Sequence, residues 1–543
     1  FIFLHGDTEV QTIGSQVAGV DFDGLKLQAV KDVLGVCEGI FTGDVAVSLA
    51  QENLQPNDNP GLPLQVNGSN IDKHPLFTNN VILNFSADSK ALLPAAKYLD
   101  AGKIRLHASY SNGDISLVGS SNDFWVKPHH FELNATHANA ELNGNNALSN
   151  AIHKAGENFS FNVSAMNKDN EVTENYRQGD GQLQLKATRV APLQMDSVDG
   201  RFTYATGQTS SASFQNVTLT SFSDGVNGIS EFDAAQYSEV GVINIDVQDI
   251  NYGGLGNVEG VITAQDIDVG RFTPAYLKQS VKNGNEGKLD VYHSDVAECS
   301  IAEWAYTGQR TADDKGAISY SLEPKIAITA YNAQGDITKN YTLGESEGFM
   351  KLLAAGVDIT VPTHDDSQQI VDSVAGNPVA ITGVINTGSL STSLDDDGNP
   401  VAGEWLYIFS ADDHFSYDHN DSSFLRPFNA KIPFVTDQIT DSDGVTLQSD
   451  PLTNVVVAQA VEKLVTEGVQ VRFARMVLTN SYGSEHATLR APLNVQVYDG
   501  TNFNIHTDEN CLTPIIADKK AGAKYSANLN VWDYRLIDID NDA

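Results

Sequence analysis

The sequence predicts an all-β protein built from tandem immunoglobulin-like antiparallel β-sandwich domains in an elongated array. Three observations predict it: apolar residues recur at every second position in many short runs, the links are rich in Asn, Asp and Gly, and blocks of pattern repeat along the 543 residues. Phe159-Ser160-Phe161-Asn162-Val163-Ser164-Ala165 alternates apolar and polar, as do Val242 to Val247, Lys325 to Ala330 and Leu493 to Tyr498. That period sends one set of side chains to a core face and the other to water. Asn112-Gly113, Asp199-Gly200, Asp224-Gly225, Asp397-Gly398, Asp443-Gly444 and Asp499-Gly500 punctuate the runs. Such dipeptides tolerate the positive φ of tight hairpins, and many short strands joined this way describe sandwiches. Leu452 to Glu467 can place Val455, Val456, Ala460, Val461 and Leu464 on one helical face, but its valines suit a strand equally.

Repetition divides the chain. Ala165-Met166-Asn167 followed by Thr173-Glu174-Asn175-Tyr176 returns 165 residues later as Ala330-Tyr331-Asn332 followed by Thr338-Lys339-Asn340-Tyr341. A second frame, Ala95-Ala96-Lys97-Tyr98 with Gly102, returns 139 residues on as Ala234-Ala235-Gln236-Tyr237 with Gly241. Each of these leads to a phrase ending in proline, at Pro128 and at Pro274. The expected organisation is a truncated or diverged sandwich over 1–127, sandwich repeats over 128–272 and 273–435, and a distinct module over 436–543. In the repeats, the Asn of T-x-N-Y is expected to cap a turn, the Tyr to fill the core and the Gly to make a turn. Proline at the junctions fixes φ and stiffens the link.

Composition narrows the function. Lys and Arg number 33 against 70 Asp and Glu, a formal net charge of -37. A polyanion of this size is repelled by nucleic acid and anionic lipid, and no basic run offsets it. No stretch approaches the ~18 apolar residues that span a bilayer. The three cysteines, Cys37, Cys299 and Cys511, form no CxxC pair and are expected as buried or unpaired thiols; the alternative is a single long-range disulfide, which would fit an oxidising compartment. The opening at Phe1 is expected to mark a processed protein or an excised segment.

From Thr440 onward the pattern is more specific. Val471-Arg472-Phe473-Ala474-Arg475-Met476 leads through Asn480-Ser481-Tyr482-Gly483-Ser484-Glu485 and Ala491-Pro492-Leu493 to Tyr498-Asp499-Gly500, Phe503 and His506-Thr507-Asp508-Glu509-Asn510-Cys511. This run resembles the C-terminal region of the MshQ family of the MSHA (mannose-sensitive haemagglutinin) type IV pilus system. Gly270-Arg271-Phe272-Thr273-Pro274 and Cys299 with Tyr306-Thr307-Gly308-Gln309 agree with it. Ala474 and Val497-Tyr498 depart from the family's usual Gly and Tyr-Trp. The lectin-like domain often found N-terminal in that family is not evident here. The chain's last residues, Asp540-Asn541-Asp542-Ala543, fall inside a motif that looks set to continue. The resemblance implies an exported, pilus-associated surface protein with no catalytic residues to carry over.

Signatures of known chemistry are missing: no GxSxG, HExxH, P-loop or dinucleotide-binding glycine pattern occurs. The thirteen histidines are scattered, apart from His129-His130 and the acidic segment holding His414 and His419. Calcium needs six to eight hard oxygens, which closely spaced Asp and Asn before a Gly turn can provide. Asp437, Asp441 and Asp443 are the preferred candidates, with Asp395-Asp396-Asp397-Gly398-Asn399 and Asp538 to Asp542 behind them. An Asp-Gly hairpin explains the same letters without a metal. Trp125, Trp304, Trp405 and Trp532 are expected in sandwich cores rather than on sugar-binding platforms. The expectation is a non-enzymatic structural or adhesive surface protein whose partners are pilus components, other surface proteins or surface glycans. The alternative is a carbohydrate- or calcium-binding module of an exported protein.

Overall fold

The computed structural model describes residues 1–508 apart from 34–35, 151, 206–207, 210–211, 218–221, 223–227, 292–303, 309–316, 364–378, 435, 449–462, 466–467, 480–481, 483 and 485–492. Strands dominate, and helix among the described residues is confined to single turns such as Gly256–Glu259 and Asn340–Leu343. The chain divides into two compact units, Phe1–Thr273 with Asn332–Phe349, and Pro274–Tyr331 with Met350–Ala543.

The first unit holds two sandwiches in succession. In the first, Gly43–Gln55 lies between Thr78–Phe85 and Gly102–Ser111, and Phe124–Lys127 extends the sheet. All these pairs are antiparallel, while Gln16–Val17 joins the edge in parallel. Along Gly102–Ser111 the inward set Ile104, Leu106 and Ala108 is buried, and Lys103, Arg105 and His107 face outward. The inward residues join Phe3, Leu27, Leu49, Phe85 and Tyr98 in one core.

The second sandwich sets His130–His137, Phe159–Met166 and Ile229–Tyr237 against Ile267–Thr273, Gly241–Asp249 and Leu183–Ala191. The predicted alternation is realised here. Phe159, Phe161, Val163 and Ala165 are buried, and Ser160, Asn162 and Ser164 are partly exposed. Val247, Ile245 and Ile243 fill the opposite sheet's inner face.

In the second unit, Lys325–Tyr331 pairs with Tyr276–Ser280 on one side and Pro400–Ile408 on the other. Alternation assigns Ala327 and Thr329 to water, yet they are 0% and 7% exposed. Both faces of this strand are covered, so its polar-side positions are buried too. Thr329 Oγ1 meets the Glu404 carboxylate at 3.4 Å. Leu493–Tyr498 forms a three-stranded sheet with Ala474–Leu478 and Phe503–Ile505. Its Asp499-Gly500 hairpin is closed by Asp499 Oδ1, which accepts the Thr501 and Asn502 N–H groups at 2.7 and 2.8 Å. Of the ambiguous stretch near 452–467, Lys463–Val465 is a strand paired with Ile432–Phe434, and residues 452–462 lie outside the described residues.

Phe161→Ala, in the middle of the second sandwich, should lower the stability of the first unit by ~3–5 kcal/mol. Val118→Ala, at a position 73% exposed, should stay within ~0.5 kcal/mol of wild type. Urea unfolding of the two variants checks both numbers.

Candidate functional site

The two repeated sequence frames meet in space. Asn167 ends the Phe159–Met166 strand and organises the turn after it, its Oδ1 accepting the N–H of Asp169 at 2.9 Å and of Glu171 at 3.0 Å. With Oδ1 occupied inside the turn, the Asn167 amide donates outward to the Leu99 carbonyl of the first sandwich at 3.0 Å. Asn175 then donates its backbone N–H to Asp100 Oδ1 at 2.9 Å, and its side-chain amide reaches the Tyr98 hydroxyl at 3.3 Å. Asp100 is held from its own side as well, by Leu62 N–H at 2.7 Å on Oδ2 and Ala101 N–H at 2.7 Å on Oδ1. Tyr176, next in sequence, anchors the hairpin inside the second core, with its hydroxyl donating to Asp249 Oδ2 at 2.9 Å. Gly61 passes so close that a Cβ there, at φ +55°, would collide with Asp100 Oδ2 and the Asn175 amide.

The same arrangement occurs a second time within the first unit. Asn332 Oδ1 accepts the N–H groups of Gln334 and Asp336 at 2.9 and 3.0 Å, and its amide donates to Ser238 O at 3.0 Å. Asn340 and Lys339 donate backbone N–H groups to Glu239 Oε2 and Oε1 at 2.8 and 2.7 Å. Backbone pairs repeat too. Gly19 and Gly156 donate to Tyr98 O and Tyr237 O, and Lys168 and Ala333 donate to Ala18 O and Ala155 O, all within 2.7–3.0 Å. Tyr98-x-Asp100-x-Gly102 and Tyr237-x-Glu239-x-Gly241 are therefore sockets, and the A-x-N…T-x-N-Y hairpins are the plugs. The Asn of T-x-N-Y does more than cap a turn, because its backbone N–H carries the bond to the carboxylate.

Both carboxylates are removed from water, Asp100 at 0% and Glu239 at 5% exposure. Burial pushes Asp100 up to about 6 and Glu239 up to about 7, against the pull of the backbone N–H donors that favour the ionised form. An apolar contact lies beside the first lock. Phe124 and Val126 point into their own core, so Trp125 faces the other way and packs edge-on against Tyr252 of the second sandwich, centroids 5.4 Å apart. Trp125 is thus a junction residue, and not a core residue of its own sandwich as the sequence suggested. Trp405 is buried in the second unit, Trp304 stacks under the Arg472 guanidinium at 4.5 Å, and Trp532 lies outside the described residues.

Asp441 and Asp443 share one turn. Asp441, 5% exposed, accepts the N–H groups of Asp443 and Val445 on Oδ1, each at 2.9 Å, and so repeats the Asn167 and Asn332 turns with an acid in place of the amide. Asp437 sits on the Thr436–Ile439 strand, and its side chain lies outside the described residues. Asp395 closes its hairpin the same way, through Asp397 and Asn399 N–H groups at 3.0 and 2.8 Å. Residues 538–542, Cys299 and Cys511 are outside the described residues, and Cys37 is exposed. Metal-ligating side chains do converge elsewhere among the described residues, at Glu52, His74 and His107. Sequence spacing gave no hint of that group.

Residues 2–122 match the first Ig-like domain of DUF6701, a domain of unknown function, and 127–224 match its second domain. Residues 239–460 match the third and 472–531 the fourth. The chain belongs to the DUF6701 family. Nothing in these matches ties it to MshQ specifically. No curated protein matches the chain in sequence. Among solved structures, a tetra-tandem repeat from the extending region of a large adhesion protein is 11% identical, covering 75% of this chain and 90% of its own, with a TM-score of 0.19. The C-terminal domain of the Streptococcus agalactiae AgI/II polypeptide BspA is 10% identical, covering 49% of this DUF6701 chain and 98% of its own, with a TM-score of 0.17.

Asp100→Ala should destabilise the junction by ~1–3 kcal/mol for each buried N–H that it leaves unpaired, with faster hydrogen exchange at Leu62, Ala101 and Asn175. The pH response has a definite sign. The folded-state values lie above the roughly 3.9 and 4.3 of free Asp and Glu, so the folded protein binds protons first. The contribution of each group is therefore full below its free value and is lost as pH rises through about 6 for Asp100 and about 7 for Glu239. The first unit should melt higher at pH 5 than at pH 7.5, and the difference should shrink in the Asp100→Asn, Glu239→Gln double variant.

Proposed function

We propose that this DUF6701 chain is a non-enzymatic structural or adhesive protein of the cell surface, associated with a type IV pilus as in the MshQ family that its C-terminal third resembles. The observation that carries this reading is the carboxylate lock, built twice from the same parts inside the first unit. Sandwiches joined by directed hydrogen bonds resist reorientation in a way that a flexible linker does not. A surface protein that must present a site at a set position needs that property. The buried acids with raised values also fit a scaffold, since backbone N–H groups hold Asp100, Glu239 and Asp249 in place. A net charge of -37 keeps such strands soluble and discourages edge-to-edge pairing. Its partners on this reading are pilus components or other surface proteins, with surface glycans as a second class.

Immunogold labelling of intact cells, with and without pili, tests the reading. Label on the outside of piliated cells, co-purifying with sheared pili, is the expected result. Equal label on both strains removes the pilus association, and label only after permeabilisation removes the surface location.

A further inference from the structure

We propose that the outer face of the first sandwich carries a binding site for a divalent transition-metal ion of the zinc class, formed by Glu52, His74 and His107. One ligand atom from each of the three side chains lies within 4.8 Å of the others. Two neighbouring strands provide the fixed half of the site. Glu52 on Gly43–Gln55 is in register with Arg105 on Gly102–Ser111, and His107 lies two positions beyond Arg105. The period of two puts Arg105 and His107 on the same outward face, so Glu52 and His107 are diagonal neighbours. Their Oε2 and Nε2 atoms are 2.9 Å apart. The third ligand comes from the loop before Thr78–Phe85, where His74 N–H is tied to Gln51 O of the same central strand at 2.7 Å. This bond brings the His74 ring to 4.3 Å from that of His107.

The donor set selects the ion. Two imidazoles and one carboxylate suit zinc and its neighbours, whereas calcium prefers six to eight oxygens. Metal–ligand bonds of about 2.0–2.2 Å in a tetrahedron place ligand atoms about 3.3–3.5 Å apart. Glu52 and His107 are already close to that separation, and the exposed His74 can rotate to meet it. His107 is oriented through its second nitrogen, with Nδ1 2.8 Å from Ser120 Oγ across the Ser116–Ser120 strand. A ligating histidine held through its other ring nitrogen is the usual way that a protein aims the first. The nearby cation is shared: Arg105 directs Nε and Nη2 at Asp123 Oδ1, at 2.8 and 2.6 Å, and its Nη1 also donates to Glu52 Oε2, at the longer distance of 3.5 Å. Lys103 lies 4.0 Å from the same Asp123 carboxylate. Three protein ligands leave a fourth position for water or for a donor from a partner. A bound ion would also clamp the 72–77 loop to the sheet.

Calorimetric titration of the full chain with Zn2+ tests the site, alongside His74→Ala, Glu52→Gln and, as a control on another histidine, His129→Ala. His74 is exposed, so its removal leaves the core intact. Wild type and His129→Ala should bind zinc alike and gain thermal stability with it. His74→Ala and Glu52→Gln should bind roughly tenfold or more weakly and lose that gain. Co2+ should give the intense visible bands of a tetrahedral site in wild type and lose them in both ligand variants. Zinc binding that is equal in wild type and both ligand variants, or no uptake by wild type, would overturn the assignment.

Discussion

A buried carboxylate with donors on both sides holds the first unit together. Asp100 accepts N–H groups from Leu62 and Ala101 of its own sandwich and from Asn175 of the next. An isolated carboxylate moved out of water is costly by several kcal/mol, and only well-directed donors offset this. The charge is therefore tolerable only while the Asn175 hairpin is docked. Lifting the hairpin away would leave Asp100 short of a donor and Asn175 with an unpaired N–H, unless water enters. The bond thus makes the position of one sandwich a condition for the comfort of the other.

The apolar contacts around the lock depend on that placement. Trp125 can lie against Tyr252 only because Gly253, at φ +66°, keeps a side chain out of the indole's space. Tyr252 in turn stacks on Tyr176, centroids 5.5 Å apart, and the Tyr176 hydroxyl is fixed by Asp249. Hydrogen bonds and aromatic packing thus form one connected set from the first sandwich into the second core. Aromatic pairs of this kind add ~0.5–1.5 kcal/mol beyond their burial. Their preference for edge-to-face or offset-stacked contact is broader than the direction set by three N–H groups on one carboxylate.

Much of the fold was legible because one-sided burial writes itself as alternation, as at Phe159 to Ala165. Where both faces are covered, as at Ala327 and Thr329, alternation misleads about exposure although it still marks the strand. The lock was legible as repetition but not as a mechanism. Its key donors at Asn175, Asn340 and Lys339 are backbone N–H groups, which every non-proline residue possesses. Asp100 and Glu239 are different letters, so the shared carboxylate did not stand out in the frame. Trp125 is expected in a core because tryptophans of sandwiches usually are, and Phe124-Trp125-Val126, apolar at every position, does not say which residue points inward. Glu52, His74 and His107 were invisible for another reason. Strand register and one loop hydrogen bond bring them together across separations that no local motif spans.

The use of different acids in the two locks has a further consequence. Two similar hairpins and two similar sockets within one unit face the hazard of pairing wrongly, which apolar patches alone discriminate poorly. At the first socket the short Asp100 side chain reaches one hairpin N–H, and Leu62 fills its other oxygen. At the second, the longer Glu239 takes two consecutive hairpin N–H groups, from Lys339 and Asn340. The Asn340 side chain adds two bonds of its own with Val198, donating to its carbonyl and accepting its N–H, both at 2.8 Å. Exchanging plugs would bring a hairpin built for two carboxylate bonds to an acid that is one methylene shorter and already occupied by Leu62. The mismatch would strand a buried N–H and leave the Asn340 amide without Val198. Each stranded group disfavours the wrong pairing by about 1–3 kcal/mol, so the polar part of the junction supplies a selectivity that the apolar contact beside it lacks.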